Sequence, residues 1–172
     1  MSVNAADTVS RRIVDVTADC GISLVASLPD GWITSLITHY SRDARFKHVA
    51  VNREESAIGL CSGAFFSGLG TFALMGASGF LTCIYAITKI NYTYQIPLLI
   101  GITLRGRPGD RAKFHQSNGL YLQSVIQAID IPLVSIEKAE DIPRIGTAYN
   151  HSRTMSRPVV VGLTREVLRG EA

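Results

Sequence analysis

Residues 51–70 read VNREESAIGLCSGAFFSGLG. Two adjacent acids, Glu54 and Glu55, open a helix whose body is small and oily. Helical spacing of four, seven and eleven places Glu54 in line with Ile58, Cys61 and Phe65. It places Glu55 in line with Gly59, Ser62 and Phe66. The remaining face, Ala57, Leu60, Gly63 and Ala64, is also small and apolar. The helix therefore reads as buried all round, in part against another subunit. An acid aimed along such a stripe is costly to ionise unless a partner meets it. A local reading stands beside this one. Asn52 caps the helix, Glu55 completes a capping box, and both acids favour the positive helix N-terminus.

Outward from this helix the chain alternates between two patterns. Upstream, residues 4–21 predict a helix, with Asn4 as N-cap, Gly21 as stop and Val9, Ile13, Val16 and Cys20 as its apolar stripe. ISLVASL (22–28) predicts a strand, PDGWITSLITHY (29–40) a helix and KHVAV (47–51) a strand. The quoted helix spans 52–69 on this reading. TFALMG (71–76) predicts a strand, 78–91 a helix, and IPLLIGIT (96–103) a strand. LRGRPGDRAKFHQSNG (104–119) reads as a long Gly/Arg-rich loop. A helix over 120–129, a strand over 131–136, a helix over 139–154 and a strand over 158–164 complete the series. Six β-rich runs separated by helices predict a three-layer α/β/α domain over 1–172 with a six-stranded parallel sheet. PLLIGIT and PVVVGLT are continuous apolar runs, as expected of strands covered on both faces.

Composition narrows the function classes. Hydrophobic residues make up 47% of the chain and charged residues 18%, enough for a packed core and too apolar for disorder. The net charge of +3 is spread without a basic run, so no nucleic-acid patch is expected. Cys20, Cys61 and Cys83 are an odd set without Cys-x-x-Cys spacing, which suits a reduced cytoplasmic protein. The first residues lack a signal-peptide core, and no apolar run reaches the roughly 18 residues of a membrane span.

In a parallel sheet of this kind, ligands sit at the carboxyl ends of the strands. The loops of interest are SLPDGW, NREES, GASGF and the 104–119 segment. No Walker loop is present. GLGTFA (68–73) precedes a strand instead of following one, so it is no dinucleotide fingerprint. No His/Cys/Glu cluster has zinc spacing. His39, His48 and His151 have no motif around them and read as surface residues.

NREESAIGLCSGAF resembles the start of this helix in the pyrimidine-binding domain of thiamine-diphosphate enzymes, where Glu-x-x-Ala follows Asn, Arg or His. SLPDGW resembles the Val-Pro-Asp loop of the sulfopyruvate and phosphonopyruvate decarboxylases among them. GASGF resembles their Ser-Gly loop, IPLLIGITLRGRPGD their strand and Arg-Gly loop, and HQSNG their His-x-x-Gln-Gly. The ordered set covers essentially the whole chain. The resemblance implies that Glu54, three before Ala57, hydrogen-bonds the cofactor aminopyrimidine and favours its imino tautomer. That tautomer removes the thiazolium C2 proton, and the cofactor then accepts the electrons released with carbon dioxide. It implies cofactor contacts from Pro29, Gly76, Ser78 and Gly79. It implies proton handling or anion binding by His115 and substrate contacts from Asp30, Arg105, Arg107 and Asn118.

The chain departs from the group in two loops. MGASGFLT (75–82) stands where Met-Gln-Asn-Ser-Gly-Leu-Gly-Asn is usual, and Asn118 stands for the usual Gln. The Gly-Asp-Gly…Asn motif that holds Mg²⁺ and the diphosphate is missing; the chain has Gly109-Asp110-Arg111 instead. The resemblance thus implies half of an active site: an α subunit of a heteromeric decarboxylase of a small anionic 2-oxo acid. A β subunit would hold Mg²⁺ and the diphosphate, and α would also associate with itself. A carboligase subunit of acetolactate-synthase type and a non-catalytic regulatory or orphan subunit are the alternatives.

Overall fold

The computed structural model describes residues 4–171. Its first element is helix α1 (Ala5–Asp19), capped by Asn4, whose side chain accepts from the Ala6 amide at 3.3 Å. Strand β1 (Ile22–Ser27) follows, then α2 (Thr34–Arg42), β2 (Lys47–Ala50) and α3 (Glu54–Phe65). β3 (Gly70–Met75) leads into α4 (Ala77–Thr82), a short α5 (Ile84–Ala86) and a π turn over Ile87–Tyr92. β4 (Leu98–Thr103), α6 (Gln116–Ala128), β5 (Leu133–Ile136), α7 (Arg144–Met155), β6 (Pro158–Leu163) and α8 (Arg165–Arg169) complete the order.

All six strands pair in parallel, in the order β2-β1-β3-β4-β6-β5. β4 and β6 are buried at every residue, as their continuous apolar sequences require. Alternate strand residues feed two cores. Phe72 and Leu74 pack with α1, α2, α7 and α8, while Ala73 and Met75 pack with α3, α4 and α6. The three-layer α/β/α sandwich expected from the sequence is the observed one. β2 lies to one side of β1 and all later strands to the other. The order therefore reverses between β1 and β3, which is where a crevice opens at the carboxyl ends.

Several element boundaries differ from expectation for local reasons. α2 begins at Thr34 and not at Pro29, because Pro29–Gly31 form a turn in which Asp30 Oδ1 accepts from the Trp32 amide at 2.9 Å. The helix expected over 78–91 is broken into three. Thr82 and Thr88 hydroxyls bond back to the carbonyls of Gly79 (2.8 Å) and Ile84 (2.9 Å), which loosens the helical ladder. The π turn that follows points Asn91 inward, where it donates to Ser62 Oγ at 3.0 Å. HQSNG is helical instead of loop: a 3₁₀ turn over Lys113–His115 runs straight into α6. α8, absent from the sequence reading, is a single capped turn between Thr164 and Gly170, too short to show a periodicity.

Asn52 does not cap α3. Arg53 occupies the cap position in extended conformation, with no side-chain cap bond, and its guanidinium reaches Glu55 at 3.1 Å. The capping-box reading is thereby replaced by an ion pair on the solvent side. α3 is also not buried all round in this chain. Ala57, Ile58, Cys61 and Ser62 face the sheet, while Leu60 and Phe66 are 37% and 71% exposed. His48 is half-buried on β2 and bonds Ser27 Oγ at 2.8 Å, so it is no plain surface residue.

Candidate active site

The crevice between β1 and β3 holds a cavity of about 230 Å³. Eight of the ten expected site residues line it, joined by Leu28 and Phe114. They come from the segments that follow the carboxyl ends of four strands. β1 delivers Pro29 and Asp30, β2 delivers Glu54, β3 delivers Gly76, Ser78 and Gly79, and β4 delivers Arg105 and His115. Sequence-distant residues meet here because parallel strands present all their carboxyl ends at one edge.

Glu54 sits in the first turn of α3, in line with the buried Ile58 and Cys61. Its carboxylate lies against Gly79, and a Cβ built there would fall inside the Glu54 side chain. No group among the described residues donates a hydrogen bond to that carboxylate, although it is half-buried in a cavity wall. Glu55, one position on, points the other way to Arg53, which holds its carboxyl below the ordinary range. The two adjacent acids thus have opposite surroundings.

Asp30 and Arg105 form the charged floor. Arg105 Nη2 donates to both Asp30 oxygens at 2.6 Å, Nε donates to Thr103 Oγ1 at 3.2 Å, and Nη1 bonds His115 Nε2. The guanidinium stacks 4.5 Å from the Trp32 ring centroid. All three guanidinium nitrogens of Arg105 are thereby engaged within the chain. Gly76 lets this floor close: a Cβ at that position would lie 2.6 Å from Asp30 Oδ2.

The other two expected residues lie next door. Asn118 is buried, and its Nδ2 donates to Ser78 Oγ at 3.1 Å, tying α6 to α4. It and Arg107 line a neighbouring cavity of about 240 Å³, where Arg107 pairs with Glu137 at 2.9 Å. Trp32, Thr103, Phe114 and Asp110 were not singled out in the sequence. Asp110 had one signal: an acid five residues before His115 in a loop that must bend back on itself.

That bend depends on two glycines. Gly106 adopts φ 74° and its backbone oxygen crosses Gly119 so closely that a Cβ on either would enter the other's backbone. Gly119→Ala is expected to destabilise the chain by about 1–3 kcal/mol, because backbone must move to admit the methyl. Urea unfolding measures this, and an unchanged midpoint would show that the crossing is not tight.

Among the described residues no group of three or more His, Cys, Asp or Glu could hold a metal ion. No helix among them is long and apolar enough to cross a membrane. Burial pushes the Cys61 and Cys83 thiols up to about 12, so neither is a nucleophile.

The fold is shared with an oxidoreductase of known structure, and the sequence with a set of 2-oxo acid decarboxylases. A solved 2-oxoglutarate:ferredoxin oxidoreductase from Magnetococcus marinus superposes with a TM-score of 0.69 over 96% of this chain and 29% of its own, at 14% identity. In sequence the chain is similar to the sulfopyruvate decarboxylase α subunit of Methanococcus maripaludis, 29% identical over 92% of this chain and 93% of the relative. It is 25% identical to the sulfopyruvate decarboxylase of Methanosarcina acetivorans over 91% of this chain, which is 40% of that longer relative. No family model matches the chain. The resemblance read from the four loops is thereby borne out along nearly the whole sequence.

Proposed function

We propose that this chain is the pyrimidine-binding α subunit of a thiamine-diphosphate-dependent decarboxylase of a short anionic 2-oxo acid, sulfopyruvate or phosphonopyruvate being the favoured substrates. The observation that carries this reading is the Glu54 carboxylate: half-buried, unpartnered, cradled by Gly79 and facing a cavity floored by Asp30 and Arg105. A ring nitrogen of an aminopyrimidine is the kind of partner that carboxylate lacks. Pro29, Gly76, Ser78 and Gly79 would flank the ring, and the two glycines allow close approach.

When bound, thiamine diphosphate supplies the electron sink for loss of carbon dioxide. This chain's residues do the rest from their side of the site. Glu54 would share a proton between its carboxyl oxygen and a ring nitrogen of the bound pyrimidine, and so would set the ring's tautomer. Asp30, Arg105 and His115 form a polar wall at which the Arg105 guanidinium would meet a 2-oxo acid carboxylate. Phe114, 78% exposed, stands at the mouth and would restrict water once a partner covers it.

The diphosphate, Mg²⁺ and the remaining wall belong, on this reading, to a β subunit. The Methanosarcina acetivorans relative, longer than this chain by more than half its own length, supports it. The exposed side of α3, with Leu60 and Phe66, is the surface for contact between subunits, α–α contacts included. The setting proposed is the cytoplasm.

The isolated chain is expected to bind thiamine diphosphate with Mg²⁺ weakly or not at all, since a neutral pyrimidine offers few contacts. Calorimetry should show heat only after a companion subunit carrying Gly-Asp-Gly is added. Tight binding by the chain alone would overturn the half-site reading. Product analysis of the assembled complex then separates decarboxylation, which yields an aldehyde and carbon dioxide, from carboligation, which yields a longer hydroxyketone. Assembly without either product would point to a non-catalytic subunit.

A further inference from the structure

We propose that Asp110, outside the cavity wall, is a positioning residue: through His115 it fixes Arg105, and through Arg105 it fixes the Asp30 carboxylate. The proposal rests on the decarboxylase reading for its consequence in turnover, but not for its geometry.

Asp110 has three donors around it. Its Oδ2 accepts from the Gly106 amide at 3.0 Å and lies 2.8 Å from His115 Nδ1, and its Oδ1 accepts from the Ala112 amide at 3.1 Å. Burial opposes ionisation of this carboxyl, but the two amides and His115 together hold it below the ordinary range. An ionised carboxylate only accepts, so the proton between Asp110 and His115 sits on Nδ1. A guanidinium only donates, so Nε2, which meets Arg105 Nη1, presents its lone pair. Both ends of the ring therefore demand one tautomer, protonated on Nδ1 and bare on Nε2. The ring cannot turn away, because Phe114 and Trp32 pack against it at centroid distances of 4.3 and 5.6 Å.

The relay crosses the crevice. Asp110, His115 and Arg105 come from the β4–α6 connection, whereas Asp30 comes from the β1–α2 turn, 75 residues from Arg105 in sequence. Asp110 thus sets the geometry of a carboxylate on another strand without touching it. If the ring took its other tautomer, an Nε2 hydrogen would oppose an Arg105 hydrogen. The guanidinium would then swing off and release Asp30 from its bidentate grip. The alternative role for Asp110 is a plain loop cap, serving only the Gly106 and Ala112 amides.

Nitrogen-15 NMR of the histidine-labelled full chain separates the two, at a pH above the roughly 6.5 at which free imidazole titrates. Wild-type His115 should show a protonated Nδ1 and an unprotonated Nε2. Asp110→Asn places an amide NH₂ against donors, so the Nδ1-protonated signal should be lost or exchange with the Nε2-protonated one. Arg105→Met should leave Nδ1 protonated, because Asp110 and not Arg105 commands the tautomer. In the assembled enzyme Asp110→Asn should lower kcat/KM roughly 10- to 100-fold through misplacement of the wall. A wild-type ring protonated on Nε2, or an unchanged ring in Asp110→Asn, overturns the proposal. If Asp110→Asn does not fold, the wild-type and Arg105→Met spectra still decide. If the wild-type complex turns over no 2-oxo acid, the decarboxylase reading fails while the spectra judge the relay independently.

Discussion

Glu54→Gln is expected to leave the chain folded while cutting turnover of the assembled enzyme by roughly 10²–10⁴-fold, the range of general acid–base groups. Glutamine keeps the length and a hydrogen-bonding amide but has no carboxyl proton to share with a pyrimidine nitrogen. The loss should therefore fall on kcat and on hydrogen–deuterium exchange at C2 of the bound cofactor. No described residue donates a hydrogen bond to the Glu54 carboxylate, so the described fold loses no bond by the change. Glu55→Gln is the internal control. It removes an ion pair with Arg53 on the solvent side of α3 and should leave exchange and turnover nearly intact. If Glu55→Gln abolishes exchange and Glu54→Gln does not, the assignment is off by one residue. If neither alters it, the acids serve only the helix start.

That the two acids could be told apart in the sequence has a physical reason. Helical periodicity assigns directions, and spacing put Glu54 in line with Ile58 and Cys61, both fully buried on the sheet side. The same argument failed for the outer stripe, because a small apolar face is equally consistent with burial inside a chain and with a surface awaiting another. The parallel sheet and the edge at which ligands sit followed from the alternation of βα units, but the strand order, and with it the place of the crevice between β1 and β3, did not. The Arg105 network was not legible. Arg105 and Arg107 look alike in RGRPGD, yet one is fixed by Asp30, Thr103 and His115 and the other pairs with Glu137 beside a different cavity. Only the turn that brings β1 and β4 ends together distinguishes them, and no local spacing encodes it. The departures in the 75–82 loop also read differently once placed. With glycine at 76 in place of an amide side chain, the Asp30 carboxylate lies 2.6 Å from where a Cβ would stand.

Gly79→Ala separates function from stability most sharply. Gly79 is in α4, with an ordinary helical backbone, and glycine there costs stability relative to alanine by roughly 0.5–1 kcal/mol. The atoms an added methyl would strike first all belong to the Glu54 side chain, whose free end can swing aside. The variant should thus unfold at the same or a higher urea concentration than the parent. Its activity should nonetheless fall by a factor close to that of Glu54→Gln, roughly 10²–10⁴-fold, because the displaced carboxylate no longer reaches the pyrimidine. The two changes should also be non-additive, since each removes the same contact. Glu54→Gln combined with Gly79→Ala should be little worse than either alone. Independent, multiplying losses would mean that Gly79 serves the cofactor or substrate directly and that the close fit against Glu54 is incidental. A clear drop in stability for Gly79→Ala would mean that α4 and α3 are locked together by more than this one flexible side chain.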